Sequence, residues 1–130
     1  LAARLEAANK VLGSAILLAD GTRRAAGDRF LYRRIGAVLV QGRTRPVEVH
    51  ELLGRSGEVE DDVVRYARAF EEAVAAFDRR DWTAAGTLFR RCRELRPAET
   101  GAASYLHAID TLLHAPPAAD WTPCLEVTVK

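Results

Sequence analysis

Three side chains that can ligate a metal fall on one face of a predicted helix near the C-terminal end of the chain. His107, Asp110 and His114 occupy positions i, i+3 and i+7, a spacing that aligns side chains along a helix. Imidazole and carboxylate groups are ordinary zinc ligands. Such a set on an exposed helix that stops at a Pro-Pro pair is more often polar surface, so we expect no metal site here.

The remaining chemically active side chains are isolated in the sequence. His50 lies in a predicted strand, and nothing in the pattern pairs with it. No Ser/His/Asp or Cys/His set and no glycine-rich phosphate loop is recognisable. Cys92 and Cys124 lack zinc spacing, and Cys92 falls on the apolar face of a predicted helix, where a small core residue is expected. Without a disulfide framework, the sequence favours a cytoplasmic protein.

The composition restricts the classes of partner. The chain has 130 residues, 48% of them hydrophobic, and its net charge of +1 indicates neither nucleic acid nor an acidic membrane surface as a partner. Residues 1–57 carry 10 Lys or Arg against 5 Asp or Glu, a net of +5, whereas residues 58–130 carry 9 against 13, a net of −4. The excess of basic residues in the first half would favour binding of a polyphosphate ligand, and the alternative is a charged face exposed to solvent. No apolar run approaches the roughly 20 residues that span a bilayer, so no membrane segment is predicted here; an anchor upstream of this segment stays open.

Hydrophobic periodicity predicts an α+β framework that changes character at the sequence GRSGE, residues 54–58. Before that point the pattern predicts a helix over residues 1–12, a strand over 14–19, and a short helix capped by Thr22 and closed by Gly27. A strand over 30–40, interrupted near Gly36, and a strand over 46–52 are then predicted to form an antiparallel hairpin. After it the pattern predicts helices with apolar stripes over residues 63–77, 82–95 and 102–113, and a short strand over 125–129. We therefore divide the chain into residues 1–54, a linker at 55–59 and a helical tail at 60–130.

Two stretches of the first half resemble one enzyme family. LAARLEAANK, at residues 1–10, resembles the helix of class III adenylate and guanylate cyclases that carries a transition-state arginine. LVQGRTRPVEVHELLG, at residues 39–54, resembles the closing hairpin of the same catalytic domain. The segment SAILLADGTRRAAGDRFLYR between them is similar to the family's intervening strand and short helix. The resemblance implies that residues 1–54 form the closing part of a cyclase-type, ferredoxin-like sheet.

The resemblance also gives roles to three residues. Arg4 matches the arginine that stabilises the transition state, where a forked guanidinium can bind two phosphoryl oxygens at once. Gln41 stands where the family's hairpin usually has a lysine that binds the terminal phosphates, and an uncharged side chain would hold them less strongly. Arg43 could reach the same phosphates, because alternate residues of a strand share a face. An exposed turn without a ligand is the alternative for Gln41 and Arg43.

The helical tail carries a second resemblance. Residues 66–97 resemble one tetratricopeptide-type helix pair, with small and aromatic residues near the consensus positions: Ala73, Phe77, Ala85, Phe89, Cys92 and Pro97. We expect the tail to pack on itself through four aromatic side chains: Phe70, Phe77, Trp82 and Phe89. Trp82 and Trp121 are expected to be core and docking groups, and an aromatic anchor for a partner protein is the alternative.

The function implied by the resemblance belongs to a parent protein. The chain begins with Leu inside a predicted amphipathic helix that has no N-cap residue, so we expect a piece of a longer protein. The parent would convert ATP, or less favourably GTP, to the cyclic 3′,5′-nucleotide and pyrophosphate. It would act as a homodimer of catalytic domains, with Mg or Mn held by residues upstream of this fragment, and the fragment alone would be inactive. The alternative is a protein-interaction module in which the tail binds a partner and the cyclase half is degenerate.

Overall fold

An antiparallel hairpin lies at the centre of the sheet, and three helices follow it along the chain. The computed structural model describes residues 16–127. Its elements are β1 (Leu17–Ala19), α1 (Asp20–Ala26), a 3-10 turn (Gly27–Arg29), β2 (Phe30–Val40), β3 (Val47–Arg55), α2 (Asp61–Asp78), α3 (Trp82–Leu95), α4 (Gly101–His114) and β4 (Leu125–Val127). The strand order in the four-stranded sheet is β1-β3-β2-β4. The predicted α+β class is confirmed.

The hairpin of β2 and β3 confirms the strand prediction for residues 30–52. Apolar and polar residues alternate from Val47 to His50, the pattern that predicted the strand, although the adjacent residues Val49 and His50 are both buried. The predicted interruption near Gly36 is a register shift between Arg34 and Gly36 inside a continuous strand. Gly36 has a φ of 123°, and an added Cβ atom there would lie 2.2 Å from the Tyr105 hydroxyl oxygen. That hydroxyl donates a hydrogen bond to the Ile35 carbonyl at 2.7 Å, so only glycine admits this contact between helix and sheet.

The start of α1 differs from the prediction. The helix begins at Asp20 rather than after Thr22, and its N-cap position is Ala19, which makes no side-chain capping bond. The Asp20-Gly21 pair lies in the first helical turn, where a carboxylate interacts favourably with the helix dipole. Gly27 closes the helix with a φ of 73°, as predicted.

The last described strand completes the sheet from the C-terminal side. β4 pairs in parallel with β2, placing Leu125 beside Val38 and Val127 beside Val40. Helices and strands consequently share one core, whose strand members are Ile35, Val38, Val40, Val49, Leu125 and Val127. Residues 128 and 129 of the predicted strand lie outside the described residues.

Aromatic side chains fill the core between the helices, as the sequence predicts. The ring centroids of Phe70 and Phe89 are 5.4 Å apart, and those of Phe77 and Trp82 are 5.2 Å apart, both edge to face. Tyr105 of α4 stacks on Phe89 with centroids at 4.5 Å and planes at 9°. Cys92 is fully buried in the same cluster, as expected, and desolvation raises the pKa of its thiol to about 11.

One arginine holds the segment that leads from α4 to β4. Arg80, in the turn between α2 and α3, donates hydrogen bonds from Nη2 to the carbonyl oxygens of Ala118 at 3.2 Å, Ala119 at 3.1 Å and Trp121 at 2.6 Å. Its guanidinium lies 5.5 Å from the centre of the Trp121 ring. Trp121 in turn packs against Trp82 at 6.1 Å, which supports the expectation that both tryptophans are core and docking groups.

Candidate functional site

The turn at residues 41–45 connects β2 to β3 and exposes both substrate-binding candidates. Gln41 and Arg43 are exposed, as are Gly42 and Arg45. Gly42 adopts a φ of 90°, and the Arg43 amide donates to the Val40 carbonyl at 3.0 Å. The turn therefore presents an arginine side chain to solvent at the end of a paired hairpin.

The argument that Gln41 and Arg43 share a strand face is wrong. β2 ends at Val40 and β3 begins at Val47, so both candidates belong to the turn and not to a strand. The chain reverses direction here, and the period-2 alternation of a strand no longer sets the side-chain directions. Gln41 and Arg43 can act on one ligand only because both lie in the same exposed turn.

The C-terminal strand braces the base of this turn. The amide of Gln41 donates to the carbonyl oxygen of Val127 at 3.1 Å, directly beyond the paired residues of β2 and β4. The turn is thus held from two sides, by the hydrogen bonds between β2 and β3 and by β4. The segment before β4 is in turn held by the contacts of Arg80 with Trp121. Arg4, the proposed catalytic residue, lies outside the described residues.

A buried arginine that the sequence analysis did not single out joins the hairpin to the helices. The Arg33 side chain is fully buried, and its Nε atom lies 3.1 Å from the Glu51 carboxylate. Its Nη1 atom pairs with Glu99, in the loop before α4. The guanidinium also lies over the rings of Phe70, at 4.4 Å, and Tyr66, at 5.3 Å. Burial alone would lower the pKa of Arg33, but the two carboxylates more than compensate and raise it.

The neighbouring arginine makes a second, more exposed bridge. Arg34 pairs with Glu48 on β3, and its Nη1 atom donates to Asp78 at the end of α2 at 2.9 Å. Its backbone amide donates to Glu71 at 2.8 Å. Adjacent arginines of one strand thus contact carboxylates of different helical segments. We assign both arginines a structural role, the connection of the hairpin to the helical segments, because each guanidinium is already paired with carboxylates of the protein.

His50 is paired, contrary to the sequence analysis. Its Nε2 atom lies 3.0 Å from the Asp20 carboxylate, and the imidazole is almost completely buried. This hydrogen bond lowers the pKa of Asp20, with a smaller contribution from the charge of Arg24. The pair connects α1 to β3. Sequence patterns missed it because the start of α1 was placed three residues too late.

The trio on α4 has the character expected of polar surface. His107, Asp110 and His114 are all exposed, and the His114 Nδ1 atom lies 3.6 Å from the Asp110 carboxylate. Within residues 16–127, no group of three histidine, cysteine or acidic side chains is arranged to hold a metal ion.

The sequence carried no signal that would have located the Arg33 pairs. If the pairing of Val38 with Val47 continued without a shift, Arg33 would face Leu52, and only the register shift between Arg34 and Gly36 places it opposite Glu51. The contact with Glu99 had no local signal either, because 66 residues separate the two side chains.

No protein-family model, curated protein or solved structure matches this chain. Within residues 16–127, no helix has both the length and the apolar character that a membrane span requires.

Proposed function

We propose that this chain is the closing part of a class III-type nucleotide cyclase, followed by a helical tail. The observation that carries the proposal is the β2–β3 hairpin with its exposed turn at residues 41–45. LVQGRTRPVEVHELLG, the stretch that resembles the family's closing hairpin, covers the end of β2, the turn and most of β3. The order β1, α1, β2, β3 also agrees with the order that the resemblance implies.

The proposed reaction joins the ribose 3′-hydroxyl to the α-phosphate of ATP, or less favourably GTP, and releases pyrophosphate. Arg4 would bind the phosphoryl oxygens on which negative charge builds in the transition state. Arg43, exposed at the turn, would contact the terminal phosphates, and Gln41 would offer them an uncharged donor. Two catalytic domains would form the site together, so the parent would act as a homodimer.

A divalent cation, Mg or Mn, would neutralise phosphate charge in the parent. The described residues do not fit a site for it, since they hold no suitable group of ligands. Its ligands are therefore proposed to lie upstream of this chain. For the same reason the chain by itself is proposed to be inactive.

Arg4 provides the direct test of the enzyme proposal. In the parent protein with its complete catalytic domain, Arg4→Ala should lower turnover roughly 10²–10³-fold, the usual loss for one transition-state donor, and leave KM nearly unchanged. Arg4→Lys should restore little, because an ammonium cannot reproduce the planar fork. The measurement is cyclic nucleotide formation with Mg or Mn and with ATP or GTP in parallel. Arg65→Ala, at an exposed position of α2, is the matched control and should retain wild-type turnover.

A degenerate cyclase is the second candidate, favoured by the uncharged Gln41. Such a protein would bind nucleotide without turnover, and its helical tail would be the working part. Absence of product from the wild-type parent with either nucleotide, together with measurable nucleotide binding, would select this candidate. Equal turnover in wild type, Arg4→Ala and Arg4→Lys would instead remove Arg4 from the mechanism.

A further inference from the structure

A groove of about 420 Å³ runs between α3 and α4, on the tail and away from the turn at residues 41–45. Its lining combines apolar and basic side chains, and includes Trp82, Gly86, Arg90, Arg93, Leu106 and Leu113. Leu113 is 56% exposed, an unusual state for a large apolar side chain beside other apolar groups. The groove therefore offers apolar surface that no described residue covers.

One glycine of α3 lies beside the groove. Gly86 is in the interior of the helix, where glycine is among the least favourable residues, and its backbone conformation is one that alanine also adopts. A Cβ atom added to Gly86 would approach only the Arg90 side chain, the nearest atom being Nη1 at 3.4 Å. Packing of α4 thus does not require the glycine, and the Arg90 side chain lies against the position that a larger residue would fill.

The charge on the α3 side of the groove is positive. Helix α3 carries three arginines and one glutamate. Arg90 and Arg93 line the groove, are exposed, and form no ion pair with any residue in the described part of the chain. The one carboxylate in the lining, Asp110, lies near His114 on α4. An occupant with negative charge on one side would meet complementary charge along α3.

We propose that this groove binds an acidic peptide segment of a partner protein. An aliphatic side chain of the peptide would lie against Leu106 and Leu113. Peptide carboxylates would pair with Arg90 and Arg93. The site goes beyond the proposed cyclase activity and does not depend on it, since no residue of the groove belongs to the 41–45 turn.

The test measures the fluorescence anisotropy of a fluorescein-labelled peptide of repeated Glu-Leu-Leu-Glu units, here called the Glu-Leu peptide, as the full-length parent protein is added. The Glu-Leu peptide should bind, and added salt should weaken binding. Arg90→Glu with Arg93→Glu should weaken it by at least about tenfold, as expected when desolvated charge pairs turn repulsive. Arg91→Glu, the same charge change on the same helix outside the groove lining, is the matched control and should change the affinity by no more than about twofold. Gly86→Leu should also weaken binding, because the added side chain would displace the Arg90 guanidinium, and circular dichroism checks that this variant keeps its helices.

Four outcomes would overturn the proposal. No binding of the Glu-Leu peptide at about 1 mM would do so, since that affinity is the weakest worth assigning to a site. Equal binding of a peptide with lysine in place of glutamate would show that only apolar contact matters. An equal loss in Arg91→Glu would show attraction by the overall charge rather than by the groove. Concentration-dependent dimerisation of the peptide-free protein that disappears in the Arg90 and Arg93 variant would assign the groove to a second copy of the chain.

Discussion

The sheet side and the helix side of the core are held together by different interactions. Within the helical tail, aromatic rings at 4.5 to 5.9 Å connect α2, α3 and α4. Between the hairpin and the tail, ion pairs are added to the shared apolar core, with Arg33 and Arg34 of β2 reaching Glu99 and Asp78. Aromatic packing contributes mainly through the apolar area that it buries, whereas an ion pair fixes particular charged atoms against each other. The difference indicates that the aromatic cluster supplies most of the burial and the arginines set how the sheet docks on the helices.

The largest effect should come from the aromatic side of this comparison. Phe89→Ala removes a fully buried ring that contacts Phe70 and stacks on Tyr105, so the free energy of unfolding should fall by about 3–5 kcal/mol. Urea denaturation measures the change. Phe89→Leu, which keeps most of the apolar volume, is the control and should lose clearly less. An unchanged unfolding midpoint in Phe89→Ala would reject the packing described for the tail.

Removal of the buried arginine should have nearly as large an effect. Arg33→Met keeps an unbranched side chain but leaves Glu51 and Glu99 without their partner, and breaking a buried pair in this way typically destabilises by about 3–5 kcal/mol. Arg24→Met breaks an ion pair whose arginine is 71% exposed, so it should change stability by no more than about 1 kcal/mol. If the two variants unfold at the same urea concentration, the Arg33 bridge does not join the hairpin to the helices.

The two sides of the core also differ in how far the sequence predicted them. The aromatic stripes of α2 and α3 repeat at helical spacing, so both helices and their mutual packing follow from local pattern. The hairpin follows in the same way from alternation. The burial of Arg33 does not, because arginine is rarely buried and its partner Glu99 lies far along the chain. Neither the parallel pairing of β4 with β2 nor the hydrogen bond from Gln41 to Val127 has a local signature in the sequence, because each joins residues that are far apart along the chain.

The smallest expected change in stability comes from the pair of Asp20 and His50, which connects α1 to β3. The hydrogen bond from His50 lowers the pKa of Asp20 in the folded protein relative to the unfolded chain. The stabilisation is therefore fully present above pH of about 4 and is lost as the pH falls through the lowered pKa. Asp20→Asn should flatten this part of the stability profile, as measured by urea denaturation from neutral to acidic pH. Asp28→Asn, at an exposed position of the 3-10 turn, is the control, and an identical acid profile in wild type and Asp20→Asn would contradict the role given to the pair.

The most direct measurement for the proposed function is nucleotide affinity at the turn of residues 41–45. In the parent protein with its complete catalytic domain, Gln41→Lys adds the missing charge and should lower the KM for the nucleotide. Arg43→Ala removes an exposed charge and should raise it, by about tenfold for the loss of one charged contact. Arg55→Ala, at the exposed far end of β3, is the control and should leave KM unchanged. If neither Gln41→Lys nor Arg43→Ala changes nucleotide affinity, the turn is a surface hairpin and the placement of the phosphates beside it is wrong.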